Sequence, residues 1–218
     1  MESQPKTHLI IQNKYHLICH PDIVGDRQKI GDDLAFEANK LPETFILSPK
    51  ILDPKGFIFF HGGDFLPHSH VPMPFAYGED DIGQYPGIRE VGFSPLFCAL
   101  ISDDLYATLK PPVYFDDDIL AQADFVMEAK ALGARCYATP LVSVTYPHAF
   151  APKQGAKKFL SRFHDWFNLF DKKWADTLDK RFRLPVAIQA CVAFSGGYNL
   201  HALADCVQVH VETLAGLA

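Results

Sequence analysis

Short apolar and β-branched runs separated by polar turn signals dominate the first half of the chain. In THLIIQNKYHLICHPDIV, Thr7 to Val24, the runs stop at Pro21-Asp22, as expected of a strand entering a polar loop. GDDLAFEANKL, from Gly31, has helical character with acids in its expected first turn, where carboxylates suit the positive end of the helix dipole. ETFILSPKILDPKGFIFFHGG returns to strand character, with Asp53-Pro54-Lys55-Gly56 as a turn between two apolar runs. The pattern predicts strand, helix, then hairpin.

From Asp64 to Gly92 no stable period survives, and Pro, Gly, His and aromatics accumulate, which predicts a long loop with a functional or lid role. GFSPLFCALISDDLYATL predicts a strand leading into a short helix that Ser102 and Asp103 could cap. In YFDDDILAQADFVMEAKALG, Tyr114 to Gly133, residues Ile119, Ala123, Val126 and Met127 share one face of a helix over 119–132. ARCYATPLVSVTYPH alternates like a strand and ends at Pro147-His148. A helix over 157–182 sets Phe159, Phe163, Trp166, Phe167, Phe170 and Trp174 at three- and four-residue steps, a stripe suited to core packing or a dimer surface. The tail from Leu184 is apolar, strand-like and then helix-like.

Strands alternating with helices give an α/β fold, a mixed β-sheet flanked by helices with a C-terminal helical extension. Residues 1–152 form the core in this reading, and 153–218 an aromatic helix and tail packed on it. Such sheets hold ligands at the carboxyl ends of their strands. The loops beginning at His20, His61, Asp116 and Tyr146 are the candidates for that edge.

Composition narrows the function. With 218 residues, 48% hydrophobic and 21% charged, the chain is long enough for one well-cored domain, and its ordinary globular composition argues against disorder over most of it. A net charge of -6 argues against a nucleic-acid partner. The one dense basic region, Lys153 to Arg183, is interleaved with Asp165, Asp171, Asp176 and Asp179. The five cysteines are an odd number without a C-x-x-C pair, which fits a reducing compartment. No 18-residue apolar run and no signal-peptide core occur, so a cytoplasmic location is expected, with contact at the inner face of the membrane left open.

Several residues could carry chemistry. Asp22, expected at a strand end, suits a hard cation bound together with diphosphate oxygens, or is simply part of a Pro-Asp turn. His61, Asp64, His68 and His70 offer a second ligand set, or a solvated loop with incidental histidines. Asp116, Asp117 and Asp118 are best explained as a helix cap and acidic first turn. Asp124 lies inside the helix with Glu128 four residues on, where like charges repel unless something positive is near; a cation, proton acceptance or a solvated face would each account for it. His148 closes the strand-like run PLVSVTYPH.

In chain order, HLICHPDIV, FILSPKILDPKG, GFSPLFCALISDDLY, YFDDDILAQADFVMEAKALGARCYATP and VTYPH resemble the family 2 glycosyltransferases of the GT-A fold, especially the rhamnosyltransferase-like branch. The order and spacing match over about Thr7 to His148, and PKILDPKG is the most specific piece. The resemblance implies inverting sugar transfer from a nucleotide-sugar donor to an acceptor hydroxyl of a glycan or lipid-linked acceptor, with Mg²⁺ or Mn²⁺ against the donor diphosphate. Asp22 matches the last acid of the metal motif, and His20 stands where the motif often has Asp or Asn. His148 lies about two positions from the family's metal-side His. Asp124 matches the final acid of the Glu-Asp-x-Asp helix start, but the usual catalytic base falls on Gln122, which cannot usefully accept a proton. Asp124 or an acid of the Asp116 to Asp118 run, Asp118 among them, then replaces it, or catalysis is lost. The family's nucleotide-binding segment precedes the metal loop by roughly 70 residues, so the chain is expected to be a fragment or a degenerate copy. Two alternatives stay open: a non-catalytic binding module, and a metal-dependent hydrolase or oxygenase on the His61 to His70 cluster. The aromatic stripe leaves a homo-oligomer open.

Overall fold

The computed structural model describes residues 7–42, 44–66, 69–109, 119–149 and 156–181. They form a mixed α/β fold in which a mostly antiparallel seven-stranded sheet is flanked by helices. The sheet path is β1 (Thr7–Ile11), β2 (Tyr15–Cys19), β8 (Cys98–Ser102), β3 (Phe45–Leu52), β9 (Arg135–Thr145) and β7 (Arg89–Val91), with β4 (Ile58–Phe60) attached to β3. Only β3 and β9 pair in parallel; the other pairings are antiparallel.

The first apolar stretch splits into a hairpin. Gln12 and Asn13 take left-handed backbone angles (φ 53° and 51°), which turn β1 back against β2. Helix α1 (Arg27–Ala38) begins earlier than its acids suggest. Asp26 is the N-cap, its carboxylate accepting the Gln28 and Lys29 N–H groups, so the first turn holds no acid. Asp32 and Asp33 therefore sit one turn further in and pair with Gln28 and Lys29. Gly31 lies where α1 meets the sheet, and a side chain there would overlap Ile11.

Strand β3 is buried along nearly its whole length, with neighbours on both sides, which is why FILSPKIL reads as a continuous run rather than an alternation. Leu17, Ile46, Leu47, Leu100 and Ile101 are fully enclosed at this centre. Asp53 accepts the Lys55 and Phe57 N–H groups and fixes the turn into β4.

The expected long loop is more structured than its composition suggests. It contains the hairpin of β5 (Gly63–Phe65) and β6 (Pro72–Pro74), then β7, which closes the sheet against β9. After β8 comes α2 (Asp103–Thr108). Ser102 stands at its N-cap position but makes no cap bond; its hydroxyl accepts the Phe45 N–H instead, tying β8 to β3. Helix α3 (Ile119–Ala131) ends at a turn through Gly133 (φ +89°) and leads straight into β9. Helix α4 (Ala156–Arg181) follows, and Phe170 from its stripe stacks on Phe65 at 5.9 Å. The chain divides into two compact units, Met1–Ala175 and Asp176–Ala218; the described part of the second is the end of α4. Side chains of Phe159, Phe163 and Trp166, and the tail from Leu184, lie outside the described residues. Among the described residues no helix is long and apolar enough to cross a membrane.

Candidate functional site

Strands β2, β3 and β9 run in one direction and β8 in the other, so the ends of β2, β3 and β9 and the start of β8 meet at one sheet edge. Backbone bonds stitch that edge together. The His20 N–H donates to the Phe97 carbonyl (2.7 Å), the Val24 N–H to Thr145 (2.9 Å) and the Tyr146 N–H to Leu52 (2.8 Å). Arg27 Nη2 donates to the Pro21 carbonyl and holds the loop from the α1 side.

These bonds bring His20, Asp22 and His148 together. Asp22 Oδ2 lies 3.5 Å from His148 Nε2 and 3.8 Å from His20 Nδ1. His20 Nδ1 accepts the Asp22 N–H at 3.2 Å, so in this geometry its proton is on Nε2. The Asp22 and His148 side chains are 48% and 61% exposed, whereas that of His20 is 14% exposed. Behind them stands an aromatic wall: Tyr146 meets the rings of His20, Phe97, Phe59 and His148 at 5.3–5.7 Å, and Phe59 reaches Tyr77 at 6.0 Å.

An open carboxylate beside an open imidazole can share a divalent cation. Oxygen bonds to Mg²⁺ of about 2.1 Å put neighbouring ligands about 3 Å apart, close to the separation found here. Among the described residues no group of three or more His, Cys, Asp or Glu forms a complete cage. The pair therefore suits an ion whose other positions are filled by water and by phosphate oxygens, which is how Mg²⁺ and Mn²⁺ accompany a diphosphate.

Gln122 and Asp124 part company on α3. Two residues apart on a helix, they point to nearly opposite sides. Gln122 is fully buried, and its Oε1 accepts the Leu96 N–H at 2.8 Å, next to Phe97 and hence just behind the edge. Its Nε2 has no hydrogen-bond partner among the described residues. Asp124 faces α4, where Lys173 Nζ donates to both carboxylate oxygens (2.8 and 3.1 Å) and Trp174 Nε1 to one (2.6 Å). Lys173 also reaches Glu128 at 2.6 Å. The positive neighbour that the Asp124 and Glu128 spacing calls for is this lysine. Asp116, Asp117 and Asp118 lie outside the described residues.

Among the described residues, His61, Asp64 and His70 are not brought together as a ligand set. His70 Nδ1 pairs with Asp171 of α4, Asp64 accepts the Phe65 N–H, and His61 is enclosed with its ring 5.0 Å from that of Tyr85. His68 is outside the described residues. His61 also lies away from the carboxyl edge, because the Asp53 to Gly56 turn sends β4 back along β3. Two groupings escaped the sequence reading. One is a chain in which His8 bonds His16 and His16 bonds Asp103 (2.7 Å each), stacked with Tyr106. The other surrounds Lys50, whose charge in the middle of FILSPKIL was the available signal.

No family model, curated protein or solved structure matches the chain.

Proposed function

We propose that the chain acts as a nucleotide-sugar glycosyltransferase, binding the donor diphosphate at the carboxyl edge of the sheet. What supports the reading is the convergence of Asp22 and His148 from distant points of the sequence onto one exposed edge, 3.5 Å apart. Asp22 and His148 would hold the cation, Mg²⁺ or Mn²⁺, and the bound ion would neutralise charge on the departing diphosphate. His20 orients Asp22 through its backbone N–H, and Arg27 holds the Pro21 carbonyl so that the loop keeps its shape. Tyr77 and the part-exposed Phe59, backed by the buried Tyr146, give a sugar ring an apolar face to lie against.

The acceptor hydroxyl needs a base. Gln122 is an amide held by Leu96, and Asp124 is engaged by Lys173 and Trp174. The base in this reading is an acid of the Asp116 to Asp118 run, with Asp118 directly before α3. Partners are then a nucleotide-sugar and a glycan or lipid-linked acceptor, at or near the inner face of a membrane.

The buried amide of Gln122 favours a second reading, a relative that binds a nucleotide-sugar without transferring it. One experiment separates them. Isothermal calorimetry with nucleoside diphosphates, with and without Mn²⁺, is expected to show Mn²⁺-dependent binding in both cases. Release of diphosphate in the presence of acceptor, lost in Asp118→Asn, identifies transfer; binding without release identifies the non-catalytic form. No binding under any condition removes both.

A further inference from the structure

Strand β2 ends at Cys19 and β8 begins at Cys98, and the two residues are direct partners in the antiparallel ladder. Two backbone bonds, from the His20 N–H to the Phe97 carbonyl and from the Asp103 N–H to the Lys14 carbonyl, fix the phase of that ladder at its two ends. Hydrogen-bonded pairs fall on the even-numbered residues of β2, so Cys19 and Cys98 form a non-hydrogen-bonded pair. Such partners stand about 4.5 Å apart at Cα, with their side chains adjacent on one face. A disulfide spans Cα separations of about 4.4–6.8 Å, so this pair can close with little movement of either strand.

Both residues are completely buried, and nothing has to fit between them: closing the bond removes two hydrogens and adds no atom. The sulfurs already touch through hydrogen bonding. Cys19 Sγ–H donates to the His20 carbonyl at 3.8 Å. The hydrogen bond with Cys19, then burial, push the Cys98 thiol well up against the pull of Arg27, so in the closed sheet it stays protonated and inert. The pair nevertheless lies at the end of both strands. Beyond it, among the described residues, the β2–β8 ladder continues only through the His20 to Phe97 bond before the loop at the half-exposed Asp22. Local opening of this end exposes the thiols without unfolding the sheet. Cys136 lies on β9, with β3 between it and β8.

We infer that Cys19 and Cys98 are a redox-responsive pair, closing to a cross-strand disulfide when the end of the ladder opens to hydrogen peroxide. One sulfur, as thiolate, attacks a peroxide oxygen and breaks the O–O bond, leaving a sulfenic acid and one water. The second sulfur attacks the first, forms the S–S bond and expels a second water. Two electrons pass from the sulfurs to the peroxide, and the two thiol hydrogens leave in the waters. A dithiol reductant reverses the step by exchange. The bond ties β2 to β8 directly beneath His20 and Asp22, so the oxidised edge opens less. This chemistry does not depend on the glycosyltransferase reading.

The test treats the folded wild-type chain with hydrogen peroxide, alkylates the remaining thiols in urea, digests without reduction and maps the peptides by mass spectrometry. A joined pair holding Cys19 and Cys98 is expected, two hydrogens lighter than its separate halves and lost after dithiothreitol. Cys98→Ala should abolish it and Cys136→Ala should keep it. Should either variant fail to fold, the wild-type map still names both sulfurs. The oxidised chain should also unfold about 5–10 °C higher, because the link closes a loop of about 80 residues in the unfolded state. Cys19 and Cys98 recovered alkylated or as sulfinic acids, or joined instead to Cys191 or Cys206, overturn the assignment. So does a joined pair whose Tm falls, since the sulfurs would then meet only outside the native sheet.

Discussion

Asp22 and His148 face each other at 3.5 Å because the Val24 to Thr145 backbone bond draws the loop after β2 onto the end of β9. The Asp22 side chain is about half exposed and that of His148 more so, so their mutual attraction contributes little to stability. Asp22→Ala should therefore change unfolding free energy by less than about 0.5 kcal/mol. It should weaken Mn²⁺-dependent nucleoside diphosphate binding by more than tenfold, or about 1.4 kcal/mol. His148→Ala should do the same to a smaller extent. Urea denaturation and calorimetry on the same samples measure the two effects separately; a parallel loss of both would make the pair a structural contact.

Gln122 joins α3 to the entry of β8. Gln122→Leu keeps the volume but leaves the Leu96 N–H buried and unpaired, at a cost of about 1–3 kcal/mol. Equilibrium urea unfolding reads it. A variant as stable as wild type would mean that the amide is not held for the fold.

His61 should shape the response to acid. Burial, then Arg89 and Lys50, hold its folded value at about 4, below the ordinary value of 6.5, so between these limits the unfolded chain takes up a proton that the folded chain refuses. The contribution is fully present above pH 6.5 and is lost as pH falls, on the order of 3 kcal/mol by pH 4. Comparing wild type with His61→Leu at pH 7, 6 and 5 isolates this slope from the carboxylates that titrate beside it. Equal slopes in the two proteins would place His61 in contact with solvent.

Gly31 sits inside a helix, where alanine is normally worth about 1 kcal/mol more. Here a methyl group would overlap Ile11, and the strain outweighs that gain. Gly31→Ala is expected to destabilise by about 1–2 kcal/mol net. Adding Ile11→Ala should recover part of the loss, visible as a coupling term in a double-mutant cycle.

The elements were legible where local chemistry fixes them. The Asp53 to Gly56 turn, strands β3 and β9, and helix α4 follow from turn residues and apolar spacing alone. The start of α1 was not, because Asp26 as cap competes with the more conspicuous Asp32-Asp33 pair. The short strands β5, β6 and β7 escaped because each has only three residues, too few to show a period. His20, Asp22 and His148 could each be named from strand ends, but their meeting depends on a sheet order that no local pattern carries. Asp124 is the clearest case. Its spacing to Glu128 left a positive neighbour, proton acceptance and a solvated face equally open, and the residue that decides between them, Lys173, lies 49 residues away.

The central position of β3 governs how the chain must be made. Both of its long neighbours, β8 and β9, are encoded after it, and the parallel partner β9 begins only at Arg135. At about 5–20 residues per second, an apolar strand stays without its lateral partners for on the order of ten seconds of synthesis. The hairpin β1–β2 and helix α1 can form in that interval; the sheet cannot. The chain therefore spends its early life with its most adhesive segment uncovered, and its yield in cells should depend on chaperone supply more steeply than its final stability would suggest.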